Sequence, residues 1–182
     1  MSSEPDNSGR MSLAVASTLT LPNSGGAYAV GDAVANSASA ASVTPLEFLA
    51  AGVDGHPGYI TGASCFTDQA TSGIGALRLW LFNQAPFASG GYQADNAALA
   101  LTYAAISAGA AGELPNLIGF IDFPTWIGLS TAAFASGEMD QAAIPFQPAA
   151  GTRKIFGLFE ARAVFTAGNA KLIVPNLHIS RD

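Results

Sequence analysis

The side chains that could carry out chemistry are few in this sequence and stand far apart. There are two histidines, His56 in a Gly/Pro turn and His178 near the C-terminal end, and one cysteine, Cys65. General acid–base catalysis needs a histidine beside an acid or a nucleophile, so a turn or surface position is the ordinary interpretation of both histidines. No Gly-x-Ser-x-Gly pentapeptide occurs, so the nucleophile elbow of a serine hydrolase is absent. Cys65 has no partner for an intrachain disulfide, and we predict that it is a small buried hydrophobic residue.

The sequence also lacks the minimum set of residues for a metal or cofactor site. One cysteine and two distant histidines cannot form a structural zinc site, and no Gly-rich stretch continues into a phosphate-binding Gly-Lys-Ser/Thr. Turn formation explains the dispersed acids, although two of them could meet in space as a glycosidase pair and 138–140 could offer oxygens to calcium. These acids are Asp54, Asp68, Asp95, Asp122, Glu138 and Asp140. We predict no catalytic residue, no cofactor and no metal, and hence a protein that is not an enzyme.

The composition excludes several partners. Charged residues form 11% of the chain against about 25% in average proteins, and the net charge is -6. Binding to nucleic acid needs clustered Lys and Arg, which are missing, so we expect no nucleic acid partner. No apolar run reaches about 18 residues, so we expect no membrane partner either. Few charges leave a surface poorly protected against association, which predicts that much of it is covered in an assembly.

The elements available to position any site are mostly strands. Period-two hydrophobic patterns between turn residues predict strands over 12–21, 27–35, 43–49, 59–67, 77–82, 117–123, 129–135, 143–146, 155–165 and 172–179. In 59–67 the alternation places Ile60 and Phe66 on one face, and Pro175 in the last strand predicts an edge or a bulge. Asp95 is a candidate N-cap for a short helix over 96–107. We therefore predict an all-β, jelly-roll-like β-sandwich with one short helix, made of a flexible arm (1–10) and a single domain (11–182).

Aromatic residues in loops are the best candidates for contacts. Phe87 and Tyr92 lie in a Gly/Ser loop, and Trp126 follows Pro124 just after a strand. Aromatic residues and arginine dominate protein interfaces, so these three and Arg10 of the arm are the predicted protein-contact residues. The same aromatic rings could instead stack on sugar rings.

Three stretches together carry a resemblance to a known family. They are residues 59–63 (YITGA) with 77–82 (LRLWLF), then 116–123 (NLIGFIDF), then 155–163 (IFGLFEARA). This pattern resembles the decoration, or cement, proteins of tailed bacteriophages. The resemblance implies a jelly-roll-like β domain, self-association as a homodimer or homotrimer, and attachment to the major capsid protein across capsomer joints.

The resemblance leads to a first hypothesis on function and leaves an alternative. We expect a structural virion protein on the capsid exterior, made in the host cytoplasm, that cements neighbouring capsid subunits. The repetition of a weak contact over many copies adds through avidity, which suits a chain of small residues and few charges. The alternative is a carbohydrate-binding or host-attachment module of a phage particle, with Phe87, Tyr92 and Trp126 as stacking platforms.

Overall fold

The computed structural model describes residues 11–23, 26–86, 93–99 and 116–181, with side chains from Leu13 onward. Within these ranges the strands are β1 (Met11–Ala16), β2 (Leu19–Thr20), β3 (Ala27–Tyr28), β4 (Ala33–Val34), β5 (Leu46–Leu49), β6 (Gly58–Thr67), β7 (Leu77–Phe82), β8 (Leu117–Phe123), β9 (Ile127–Leu129), β10 (Ala132–Ser136), β11 (Ile144–Phe146), β12 (Lys154–Ala161), β13 (Phe165–Thr166) and β14 (Leu172–Arg181). Two 3₁₀ turns cover Ala40–Ser42 and Thr71–Gly73. No helix in the described part of the chain is long and apolar enough to cross a membrane.

The strands form two main antiparallel sheets. Sheet I has the order β1-β14-β6-β10-β9, and β2 and β11 join it beside β14 and β6. Sheet II has the order β4-β12-β7-β8, and β5 also pairs with β12. A small third sheet joins β3 to β13.

The strand pairing is that of a jelly roll. Among the eight strands β1, β5, β6, β7, β8, β10, β12 and β14, the first pairs with the eighth, the second with the seventh, the third with the sixth and the fourth with the fifth. These are the pairings of one long hairpin. The additional pairs β6·β14 and β7·β12 wrap that hairpin into two packed sheets. The predicted fold class, an all-β sandwich of the jelly-roll type, is therefore confirmed.

The main core lies between the two sheets. In β7, Leu77, Leu79 and Leu81 are fully buried while Arg78 and Trp80 are half-buried on the other face, as the alternation predicts. The facing side of sheet I contributes small and branched residues to the same cluster. They include Cys65, Ala133, Ala135, Ile173 and Leu177. The predicted burial of Cys65 is confirmed.

The chain passes from sheet I to sheet II at Gly137. The N–H of Gly137 donates to the carbonyl of Ala63 in β6, and Glu138 then exchanges two backbone hydrogen bonds with Asp122 in β8. A Cβ at residue 137 would lie 2.6 Å from Cγ2 of Ile121 and 2.9 Å from Cβ of Ala63. Only glycine leaves room for this crossing between the sheets.

Several predicted elements differ from the structure. A two-residue turn at 130–131 divides the predicted strand 129–135 into β9 and β10, and Ser130 has φ of 65°, the sign that such tight turns need. The predicted strand 155–165 is likewise broken after Ala161. Pro175 lies in β14, a central strand of sheet I, and away from the β-bulge between His178 and Ile179. The prediction that it marks an edge or a bulge is therefore wrong. The proline is tolerated because its backbone faces Ser17, in the gap between β1 and β2, where no ladder donor is required.

The predicted helix does not begin where the sequence indicates. Asn96 has φ of 59°, Ala98 bridges to Asp32, and the N–H of Leu99 donates to the carbonyl of Gly31. Residues 96–99 are therefore a turn and an extended piece, and Asp95 does not act as an N-cap. Residues 100–107 of that prediction, and the predicted arm 1–10, lie outside the described residues.

Candidate protein-contact surface

A line of apolar side chains crosses the outer face of sheet I. Val174 in β14 is opposite Phe66 in β6, Phe66 is opposite Phe134 in β10, and Phe134 is opposite Ile127 in β9. We name these four residues the apolar row. Because directly paired residues in antiparallel strands point to the same face, the four side chains form one continuous strip over four strands.

A β-bulge turns Phe66 outward. In β6, Ile60 is opposite Ile179 and Gly62 is opposite His178, so Thr61 is the extra residue on the β6 side. An extra residue reverses the alternation, and beyond it Cys65 faces the core instead of Phe66. The prediction that Ile60 and Phe66 share a face is therefore wrong, and Phe66 is 44% exposed.

The apolar row is part of a larger exposed surface. Ile127 is 63% exposed, and Leu129 and Leu172 add two more exposed apolar side chains at its ends. The rings of Phe66 and Phe134 pack at a centroid distance of 4.9 Å, which fixes both side chains. At about 150–250 Å² per large side chain, the exposed fractions of Phe66, Ile127, Leu129 and Leu172 sum to roughly 300–500 Å². This is the size of the largest apolar patch on a typical monomer, and such patches are often functional.

The rim of this surface carries one ion pair. Nζ of Lys171 lies 3.8 Å from the Asp68 carboxylate, and the same carboxylate accepts a hydrogen bond from the N–H of Leu172. The two charged side chains are 38% and 47% exposed, so the pair contributes little to stability. An apolar centre with a polar rim is the usual anatomy of a protein interface.

The outer face of sheet II is built differently, around Arg78. Its Nε and a terminal nitrogen each donate to an oxygen of Asp122 at 2.7 Å, and its guanidinium lies 3.9 Å from the ring centroid of Phe120. Trp80 Nε1 donates to Glu160 at 2.8 Å, and Glu160 also pairs with Arg162. Asp122 and Glu160 are thus held by basic and indole N–H groups in a structural network.

Of the four predicted contact residues, the structure describes Trp126. Trp126 is half-buried, packs against the main core, and donates from Nε1 to the carbonyl of Gly75 at 2.9 Å. It directly precedes β9, next to the apolar row. Arg10, Phe87 and Tyr92 lie outside the described residues. Their contact roles, and that of Trp126, stay predictions.

The residues with potential for chemistry are not brought together in the described part of the chain. No group of three His, Cys, Asp or Glu side chains within it could hold a metal ion. His56 is exposed in a turn, and His178 is exposed on the outer face of β14 opposite Gly62. Burial raises the pKa of the Cys65 thiol, which keeps the sulfur in its unreactive protonated form.

Tyr28 attaches the segment 93–99 to the body of the sandwich. Its hydroxyl lies 2.8 Å from both carboxylate oxygens of Asp95, and Asp95 also accepts the N–H of Ala35. The ring stacks on Phe165 at 4.6 Å. Burial raises the pKa of the Tyr28 phenol strongly, and the hydrogen bond to Asp95 raises it further.

These two shifted groups predict a loss of stability at alkaline pH. At neutral pH both groups are protonated whether the chain is folded or unfolded. Above about pH 8.5 for cysteine and about pH 10 for tyrosine, only the unfolded chain releases the protons, so the free energy of unfolding falls as pH rises. Urea unfolding between pH 8 and 11 should show this fall. It should be shallower above about pH 10 in Tyr28→Phe than in the wild type; equal slopes in the two proteins would contradict the assignment to Tyr28.

A groove of about 350 Å³ opens at one end of the sandwich. It is lined by aromatic, amide and proline side chains, among them Tyr59, Asn83, Pro145 and Gln147. The side-chain oxygen of Asn83 is buried without a hydrogen-bond partner. An exposed aromatic ring beside amide groups is a suitable lining for a polar ligand.

Comparison of the chain with models of known protein families gave no match, and neither did comparison with curated proteins or with solved structures. The fold and the surfaces themselves define the class of the protein, an all-β jelly roll with an exposed apolar row. Since this fold supports many unrelated functions, any function has to be argued from those surfaces.

Proposed function

We propose that this chain is a structural virion protein that binds the outer surface of a bacteriophage capsid and cements neighbouring capsid subunits. The observation that carries the proposal is the apolar row on the outer face of sheet I, in a chain with only 11% charged residues. In this proposal the row lies against the major capsid protein. The resemblance to phage decoration proteins supports the choice of partner.

The arrangement of the resembling stretches also supports the proposal. They lie in β6, β7, β8 and β12, and the last three of these strands are direct neighbours in sheet II. Among the described residues, sheet I exposes the apolar side chains of Phe66, Ile127, Leu129 and Leu172, whereas most of the apolar side chains on the outer face of sheet II pack into a second buried cluster around Phe82 and Leu158. A rigid sheet that presents such a strip loses little conformational entropy when it binds, which favours a contact repeated on many copies.

The proposal is tested on phage heads from which the protein has been removed. Stripped heads should release their DNA at a lower temperature than intact heads, and addition of the purified chain should restore the original release temperature. Addition of Phe66→Asp should restore it poorly, because a buried unpaired carboxylate opposes docking of the apolar row. Val164→Asp, which changes an apolar residue that is 72% exposed outside the row, is the matched control. If stripped heads are as robust as intact heads, the chain is not a cement protein.

A second function, carbohydrate binding in host attachment, is favoured by the groove beside Tyr59. Its exposed ring could stack on a sugar, and Asn83 and Gln147 could bind hydroxyl groups. A glycan array separates the two functions. A recognition module should give a saccharide signal that is lost in Tyr59→Ala, and a signal lost instead in Trp126→Ala would place the sugar at the predicted platform. A cement protein should give no signal.

A further inference from the structure

Strand β9 is an edge of sheet I in the part of the chain that the structure describes. It pairs with β10 on one side, and no other strand in the described ranges pairs with its second side. All three residues of β9 are exposed, and Ile127 and Leu129 are apolar. Natural proteins protect sheet edges with charged residues, prolines or bulges, and β9 has none of these.

The hairpin geometry determines which backbone groups of β9 point away from β10. Leu129 and Ala132 flank the two-residue turn, and Ile127 is opposite Phe134. In such a hairpin these two pairs are the hydrogen-bonded ones, so Gly128 belongs to a pair without ladder hydrogen bonds. The N–H and C=O of Gly128 therefore point away from β10, towards a strand that would extend the sheet.

We propose that β9 pairs with β9 of a second copy, antiparallel and about a two-fold axis at Gly128. The N–H of each Gly128 then donates to the C=O of the other. Ile127 of each copy lies opposite Leu129 of the other on the outer face, so the two apolar rows join into one continuous strip. A second copy fits this edge because it offers the same uncharged apolar chemistry in a self-complementary arrangement.

The area involved sets the strength of this pairing. An edge of three residues with two apolar side chains buries well under the roughly 800 Å² per partner of a standard stable interface. The dimer should therefore be weak in dilute solution and favoured where copies are concentrated. This inference adds the strand, the register and the two-fold symmetry to the self-association that the resemblance to phage decoration proteins implies.

Disulfide trapping tests the register directly. In the proposed pairing, residue 127 of one copy is opposite residue 129 of the other in a pair without ladder hydrogen bonds, with Cα atoms about 4.5 Å apart. Residue 127 of one copy and residue 127 of the other are diagonal neighbours, and their Cα atoms are about 7–8 Å apart, too far for a disulfide. A mixture of Ile127→Cys and Leu129→Cys should form a covalent dimer under mild oxidation much faster than either variant alone. If the mixture crosslinks no faster than the single variants, the proposed pairing is wrong.

Sedimentation of the purified chain gives an independent test. The wild type should show a monomer–dimer equilibrium that Ile127→Lys shifts to the monomer, because a lysine on a strand edge opposes pairing. Leu172→Lys, at the far end of the same face, should leave the equilibrium unchanged. A trimer, or a chain that stays monomeric at all concentrations, would overturn the two-fold pairing.

These results also separate this inference from the proposed function. Binding to stripped heads can fail while the β9 dimer still forms, and that outcome removes only the capsid as partner. A chain that binds heads normally as Gly128→Pro, which removes the N–H on the outer edge of β9 and leaves the apolar row unchanged, keeps its capsid contact and loses only the β9 pairing.

Discussion

Replacing Phe123 by alanine should lower the free energy of unfolding by about 3–5 kcal/mol, the largest loss that we expect from a single truncation. Phe123 ends β8, is fully buried between the two sheets, and packs against Phe159 at a ring distance of 6.2 Å. The crossing at Gly137 lies beside its ring and cannot move inward to fill a cavity, because Ile121 and Ala63 already confine it. The loss is a large share of the roughly 5–15 kcal/mol that stabilises an average domain.

Urea unfolding followed by circular dichroism measures this loss. Phe66→Ala is the matched control, because it removes the same side chain from the outer face, where it is 44% exposed. It should cost about 1 kcal/mol or less. Equal losses in the two variants would mean that the core does not lie between the sheets as described.

Replacing Asp122 by alanine should cost about 2–3 kcal/mol, the second largest effect that we expect. The substitution leaves the guanidinium of Arg78, whose side chain is only 17% exposed, against Phe120 without its bidentate partner. Removing one partner of a fully buried pair costs about 3–5 kcal/mol, and the value here is lower because the Asp122 side chain is 32% exposed. The same unfolding experiment measures it.

A double variant tests the reason for this loss. Arg78→Met combined with Asp122→Leu removes both charges and replaces them with apolar side chains of similar shape, and it should cost about 1 kcal/mol or less. The penalty in the single variant would then come from the unpaired arginine rather than from the ion pair itself. A double variant as unstable as Asp122→Ala would show that the pair itself stabilises the fold.

The sequence patterns predict most of the sandwich because a sheet with one buried face enforces a period of two. The strand from Leu77 to Phe82 and the stop of β8 before Pro124 were both predictable in this way. The turn after Leu129 was not, because Ser130-Thr131 lacks the Gly, Asn or Asp that normally marks a two-residue hairpin turn, and only the pairing of β9 with β10 requires a bend there. The central place of Pro175 also depends on the gap between β1 and β2, which no local pattern indicates.

The candidate site was less predictable than the fold. The outward position of Phe66 follows from the bulge at Thr61, and the extra residue is visible only in the register against β14. The apolar row likewise joins residues from four strands that are distant in sequence. The exposed β9 edge could not be predicted while 129–135 was interpreted as one strand. Of the predicted contact residues, Trp126 is the one that the structure describes, and it lies next to this edge.

The pairing of β1 with β14 also imposes an order in time. Of the described strands, β1 is synthesised first and β14 last, and β14 is also the central neighbour of β6. At about 5–20 residues per second, β1 waits on the order of ten seconds or more for its partner. Pairings between distant strands also slow folding after release, typically to milliseconds or seconds. Sheet I therefore closes only after β14 has left the ribosome, and until then β6 presents an open edge to chaperones and to other nascent chains.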